Sequence, residues 1–204
     1  MKTWHYLKVA ALGTAIALML ALPLTASTTL TPEEVEAVAS QITVVIGQGL
    51  QKGDIEARKE WNPGSGAIVA RNGNRYYVLT ALHVVRTRDV VYGVRTSDGE
   101  VHLIDDINQK SDIHPLGNEG GRIGDRIEGL DLAVIEFESD REYPVSTMGS
   151  SSQLQPNDVL YVSGWPNPDE GDENTLRTRK TSEGNLTSIF RQPSVDGGYS
   201  LLYD

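Results

Sequence analysis

Two residues carry the chemistry this sequence offers. His83 stands in 76-YYVLTALHVV-85, where an apolar strand gives way to two small residues, a histidine and two valines. Asp131 stands immediately before 132-LAVIEF-137, an apolar run expected to be buried on both faces. A carboxylate at the mouth of such a strand is costly unless something pairs with it. An imidazole N–H is a suitable partner: it keeps the carboxylate ionised, and the carboxylate in turn fixes the ring's tautomer. A histidine held in this way at a strand end, facing a cleft, suits acid–base chemistry. Each residue also has a plainer explanation taken alone. His83 can be a core histidine satisfied by backbone, and Asp131 can cap its own strand.

The elements that must position them read as β-structure. Short apolar runs follow one another at 66-GAIVA-70, 76-YYVLTA-81, 89-DVVYGVR-95, 100-EVHLI-104 and 131-DLAVIEF-137. The turns Asn72-Gly73 and Asp98-Gly99 between them are hairpin signals. Tight spacing of this kind predicts an antiparallel barrel or sandwich. The glycine-bearing stretch 105–130 reads as a surface loop, and 140–159 as a connector with Pro144, Pro156 and a run of serines. A second β set follows at 159–166, 180–189 and 198–203. Ahead of the first strand, predicted at 42–46, Thr31, Pro32 and Glu34 predict a helix opened by a capping box.

The N-terminus reads as a targeting segment. Lys2 and Lys8 precede the apolar run 9–24, and Thr25, Ala26 and Ser27 supply small residues where a signal peptidase cuts. Residues 1–26 are therefore expected to be a signal peptide, with a secreted or periplasmic product and no membrane attachment after cleavage; an uncleaved anchor is the second reading. Removing the two lysines with no acidic residue takes the formal charge from -10 to -12. So acidic a chain repels nucleic acid and anionic lipid. Cysteine is absent, which excludes disulfides, thiolate metal sites and a lipoprotein anchor.

Three blocks taken together, 64-GSGAIVA-70, 78-VLTALHVV-85 and 131-DLAVIEF-137, resemble the trypsin/chymotrypsin-type serine endopeptidases, in the bacterial secreted form without disulfides. The resemblance spans roughly residues 40–204. It implies an all-β fold of two antiparallel barrels with the site in the cleft between them. It also implies that His83 is the general base and Asp131 the acid that orients it, and that the Gly64–Gly66 block serves packing. The substrate it implies is a polypeptide; acyl transfer by a triad needs no cofactor and no metal. The expected division is 27–41 for the helix and lead-in, 42–145 for the first barrel, and 146–204 for the connector and a partial second barrel.

The same resemblance calls for a nucleophile in Gly-x-Ser-Gly-Gly, whose backbone N–H groups also build the oxyanion hole. Residues 149-GSSS-152, Ser65 and Ser194 do not match it. The strand ending at Tyr203 resembles the one that precedes the nucleophile loop. The expectation is an incomplete second barrel and a chain that is inactive as it stands. The alternative is a non-catalytic member that binds peptides. A metal site from His83, His102, His114 and Asp131 has long, irregular intervals, with His102 in an exposed-looking strand. The acidic turn at Asp169, Glu170, Asp172 and Glu173 lacks regular calcium-ligand spacing and reads as a solvated loop. Asn185-Leu186-Thr187 fits a glycosylation pattern of the sort that arises by chance.

Overall fold

The computed structural model describes residues 30–56, 63–87, 90–105, 112–116, 122–123, 126–127, 131–167, 176–189 and 201–204. The expected signal peptide, the acidic turn and Ser194 lie outside them. Among the described residues no helix is long and apolar enough to cross a membrane.

The first element is helix α1, Pro32–Ile42. Thr31 caps it as expected: its Oγ1 accepts from the Glu34 N–H at 3.2 Å, and Glu34 Oε2 accepts from the Thr31 N–H at 2.8 Å. Two otherwise orphaned donors are thereby satisfied. The helix keeps Ile42, so the strand that follows, β1, is Thr43–Gln48 rather than 42–46.

Seven strands form one antiparallel sheet. They are β1, β2 (Gly64–Asn72), β3 (Arg75–Thr80), β4 (Val91–Arg95), β5 (Val101–Asp105), β6 (Ile113–Leu116) and β9 (Leu132–Glu138), in the order β5-β4-β1-β2-β3-β9-β6. A small hairpin, β7 (Arg122–Ile123) and β8 (Arg126–Ile127), stands apart from it. The β2–β3 turn is centred on Gly73-Asn74, one residue later than the sequence suggests, because Asn72 still pairs with Arg75. Gly73 has φ +65, a conformation that glycine adopts without penalty. The β4–β5 turn is Ser97-Asp98-Gly99, with Gly99 at φ +82.

The sheet curls round one core. Val44, Ile46, Ile68, Tyr76, Val78, Val94, Ile104, Ala133 and Ile135 are all buried within it. The curl brings edge strand β5 to β9, where the His102 ring stacks on Phe137 at a centroid distance of 4.4 Å. His102 is therefore half-buried, not on an exposed strand face. Two further expectations change. Strand β9 is not buried on both faces: Ala133, Ile135 and Phe137 face the core, while Leu132 and Glu138 are exposed. The run reads as continuous only because its outer positions are also apolar at Leu132 and Val134. The stretch 105–130 is not all loop, because β6 pairs with β9 from Ile113↔Ile135 to Leu116↔Leu132. A four-residue strand containing a proline gives too little periodicity to be seen in sequence.

Past β9 the chain is irregular, with a single 3-10 turn at Ser151–Gln153. Its start is nevertheless fixed. Tyr143 is buried, its N–H donates to the Tyr76 hydroxyl at 3.2 Å, and that hydroxyl donates to the Arg141 carbonyl at 3.0 Å. A second antiparallel sheet follows, made of β10 (Val159–Gly164), β11 (Lys180–Ile189) and β12 (Leu201–Tyr203), in that order. The whole is consistent with the all-β, double-barrel arrangement the resemblance implies, with the first barrel curled and the second represented by three strands among the described residues.

Candidate active site

His83 and Asp131 come together because of strand register. β3 and β9 run antiparallel with Thr80 opposite Ala133. Following both strands outward brings the residues after Thr80 toward those before Leu132. Ala81, still extended at φ -77 and ψ 139, then leads into a single helical turn, α2, Leu82–Val85. Val84 and Val85 bury themselves in the core, and this turns His83 outward. Gly64 makes room for the turn: a Cβ at that position would lie 2.4 Å from Val84 Cγ2. The packing role expected of the Gly64–Gly66 block is thus visible. At Gly66 a Cβ would meet Val78 Cγ1 at 2.5 Å.

The pair is joined at two points. Asp131 Oδ1 accepts from the His83 backbone N–H at 2.8 Å, and Oδ2 lies 2.6 Å from His83 Nδ1. The second distance is that of a short, charge-assisted hydrogen bond. With both oxygens engaged, the carboxylate fixes where the imidazole sits and which nitrogen faces it. A proton on Nδ1 donates to the carboxylate and leaves Nε2 as the basic nitrogen. The His83 side chain is 57 % exposed and that of Asp131 20 %. The ring is open to a reactant, and the carboxylate behind it is largely screened from water.

The other described histidines go elsewhere. His102 Nε2 meets the Tyr143 hydroxyl at 3.1 Å, and His114 Nε2 pairs with Glu136 Oε1 at 2.8 Å. No three His, Asp or Glu side chains among the described residues form a metal-holding group. A cleft of about 420 Å³ opens between β5 and β9, lined in part by Lys52, Arg75, His102, Asp112 and Glu138. It shares no residue with the His83–Asp131 pair. Burial and the neighbouring Glu136 push the Asp112 carboxyl above its usual range. Asn185 of the glycosylation pattern lies in β11, opposite Val159.

Ser65 does more than pack: its polar atoms help to join the two sheets. Its carbonyl accepts from Thr80 Oγ1 at 2.8 Å, just ahead of the turn bearing His83. Its hydroxyl accepts from the Trp165 N–H at 2.8 Å, at the end of β10. Gly164 permits the approach, since a Cβ there would lie 2.9 Å from Ser65 Oγ. Thr43 Oγ1 adds a bond to Ser163 Oγ at 3.0 Å. Nothing local in the sequence marks the contacts with Trp165 and Ser163, because the partners lie 100 and 120 residues apart.

Residues 64–203 match the family described as the trypsin-like peptidase domain. The chain belongs to this family. The match starts at the Gly-Ser-Gly block and takes in His83, Asp131 and all three strands of the second sheet. No curated protein matches the chain. Membership of the trypsin-like peptidase family assigns the chain a protease-type function, with polypeptides as the substrate class. Within this family's double barrel, the His83–Asp131 pair sits on the first sheet near the contacts that tie it to the second.

Proposed function

We propose that the chain is a serine-type endopeptidase domain in which His83 is the general base and Asp131 the residue that orients it. The observation that carries this reading is the two-point clasp of Asp131 on His83, with the ring exposed and its Nδ1 engaged. A base so held takes a proton from a serine hydroxyl at Nε2 and returns it to the leaving amine. The carboxylate stays ionised and stabilises the imidazolium formed in between. Residues 1–26 serve as an export signal in this reading, and the domain works outside the cytoplasm.

The 204 residues contain no Gly-x-Ser-Gly-Gly. Triad members act as a unit, so a base and an orienting acid alone retain little catalysis. Residues 1–204 by themselves are therefore expected to hydrolyse peptides barely above background. The test has two parts. The coding sequence past codon 204 is read, and the longest product is treated with a serine-directed fluorophosphonate probe. Labelling of a serine in a downstream Gly-x-Ser-Gly-Gly, lost in His83→Ala, is the expected result. A stop codon in frame, no such motif in any frame, and peptide binding unaffected by His83→Ala would replace the enzyme with a peptide-binding module.

A further inference from the structure

Three buried hydrogen-bond donors gather at the seam between the sheets with no acceptor from the described residues: Arg95 Nη1, Trp165 Nε1 and Arg177 Nε. Arg95 and Arg177 each contact Trp165. The Arg95 guanidinium lies over the Trp165 ring, 5.2 Å from its centroid. Arg177 Nη1 donates to the Trp165 carbonyl at 3.3 Å and to the Pro63 carbonyl. Trp165 itself packs on Val45, Leu50 and Val101. Arg95 is 7 % exposed. Burial depresses the basicity of both arginines, and only Asp54 opposes it at Arg95. One oxygen of Asp54 is already engaged by the Gln51 N–H at 2.8 Å.

The chemistry of the orphans defines their partner. All three are donors, so the partner accepts. Two belong to guanidiniums, which remain charged, so the partner is an anion. Burying an arginine without a counter-charge is costly. A chain with formal charge -10 nevertheless brings no described carboxylate into contact with either guanidinium. We propose that Arg95, Trp165 and Arg177 form an anion site for a carboxylate, enclosed where the second sheet docks on the first. The site is distinct from the His83–Asp131 pair and does not depend on its catalytic role. The bound carboxylate neutralises the guanidiniums, accepts from the indole N–H, and so favours the docked arrangement of the sheets.

The test uses the full 204-residue chain. Urea unfolding is followed by tryptophan fluorescence in acetate and in chloride at matched ionic strength and pH. A second pair of samples carries a glutamate-containing peptide or its glutamine counterpart, both amidated at the C-terminus. Binding only the folded state raises the midpoint as ligand concentration rises above its dissociation constant. The expected result is a higher midpoint in acetate than in chloride, with the difference abolished in Arg95→Met and in Trp165→Phe. A response to the glutamate peptide beyond that to acetate identifies a polypeptide carboxylate as the occupant; a response to acetate alone identifies a free small anion. Equal midpoints in all four conditions, or an acetate effect that survives in the variants, would overturn the proposal. Should Arg95→Met fail to fold, Arg177→Met carries the same reading.

Discussion

The two sheets differ in how much they bury. In the first, Val44, Ile46, Ile68, Tyr76, Val78, Val94 and Ile135 are fully inaccessible, and Tyr76, Phe137 and Tyr143 interlock as an aromatic cluster. In the second, Leu186 is the one large apolar side chain among the described residues that is fully buried, while Val159, Val162, Leu202 and Tyr203 remain exposed. Burial of apolar area is the main favourable term in folding. The His83–Asp131 pair therefore sits on the well-packed half, and the second half depends on its contacts with the first. A pair acting in the proposed role gains from this placement, because its geometry has to hold to a fraction of an ångström.

The comparison is most directly broken by cutting into each core in turn. Ile135→Ala removes a buried side chain from the middle of β9 and is expected to cost about 2–5 kcal/mol. Val162→Ala, at a position 40 % exposed, should cost less than about 1 kcal/mol. Urea denaturation of both variants measures the ratio. Similar losses would mean that the second sheet carries a core of its own.

Gly64→Ala addresses the link between core and chemistry. Its Cβ meets the Val84 side chain, and overpacking of this kind costs roughly 1–3 kcal/mol. The turn carrying His83 has to move in response. In an NMR spectrum the wild-type Nδ1 proton should resonate far downfield, as expected of a short bond to a carboxylate. The signal should weaken in Gly64→Ala and vanish in Asp131→Asn. An unchanged signal in Gly64→Ala would show that the turn is positioned by β3 and β9 alone.

These two regions were also unequally legible in sequence. The capping box at Thr31, the paired strands from Gly64 to Thr80 and the His83–Asp131 pair were readable, since each rests on local pattern or on short motifs. The strand at 113–116 was not, because four residues with a central proline carry no period. The burial of Tyr143 was hidden in what reads as a polar connector, and that of His102 in an alternating strand. Both depend on how the sheet curls, which no local stretch specifies. The seam contacts of Ser65, Arg95 and Arg177 were invisible for the same reason. The alternation of β9 was obscured by hydrophobic residues on its outer face.

The closure of the first barrel gives a pH prediction. Burial lowers the pKa of His102 from its ordinary 6.5, against the opposing influence of Glu100 and Asp98. Above the unfolded value the ring is neutral in both states and contributes no pH dependence. As pH falls below about 6.5, the unfolded chain takes up the proton first and the fold loses stability; the loss levels off below the lowered folded value. His102→Gln should flatten this part of the stability profile, below about pH 6.5. An unaltered slope would assign the acid sensitivity to other groups.

The smallest effect tests how the weaker sheet is held. Arg179, beside β11, donates to Glu36 of α1 and also to Ser163 Oγ at 3.1 Å and Thr181 Oγ1 at 2.8 Å. The hydrogen bond from Arg179 is the main cause of the lowered Glu36 pKa. A carboxylate with a depressed folded pKa lends stability above its unfolded value and loses it as pH falls through the folded one. The pair is solvent-exposed on the Glu36 side, so salt screens it. Glu36→Gln should therefore lower the urea midpoint slightly at low ionic strength and hardly at all at high ionic strength. Hydrogen exchange at the β10 and β11 amides should rise in the same variant, while exchange in β3 and β9 stays as it was. A rise spread evenly over both sheets would mean that the two halves open as one unit, and the contrast in burial would then have no counterpart in their motion.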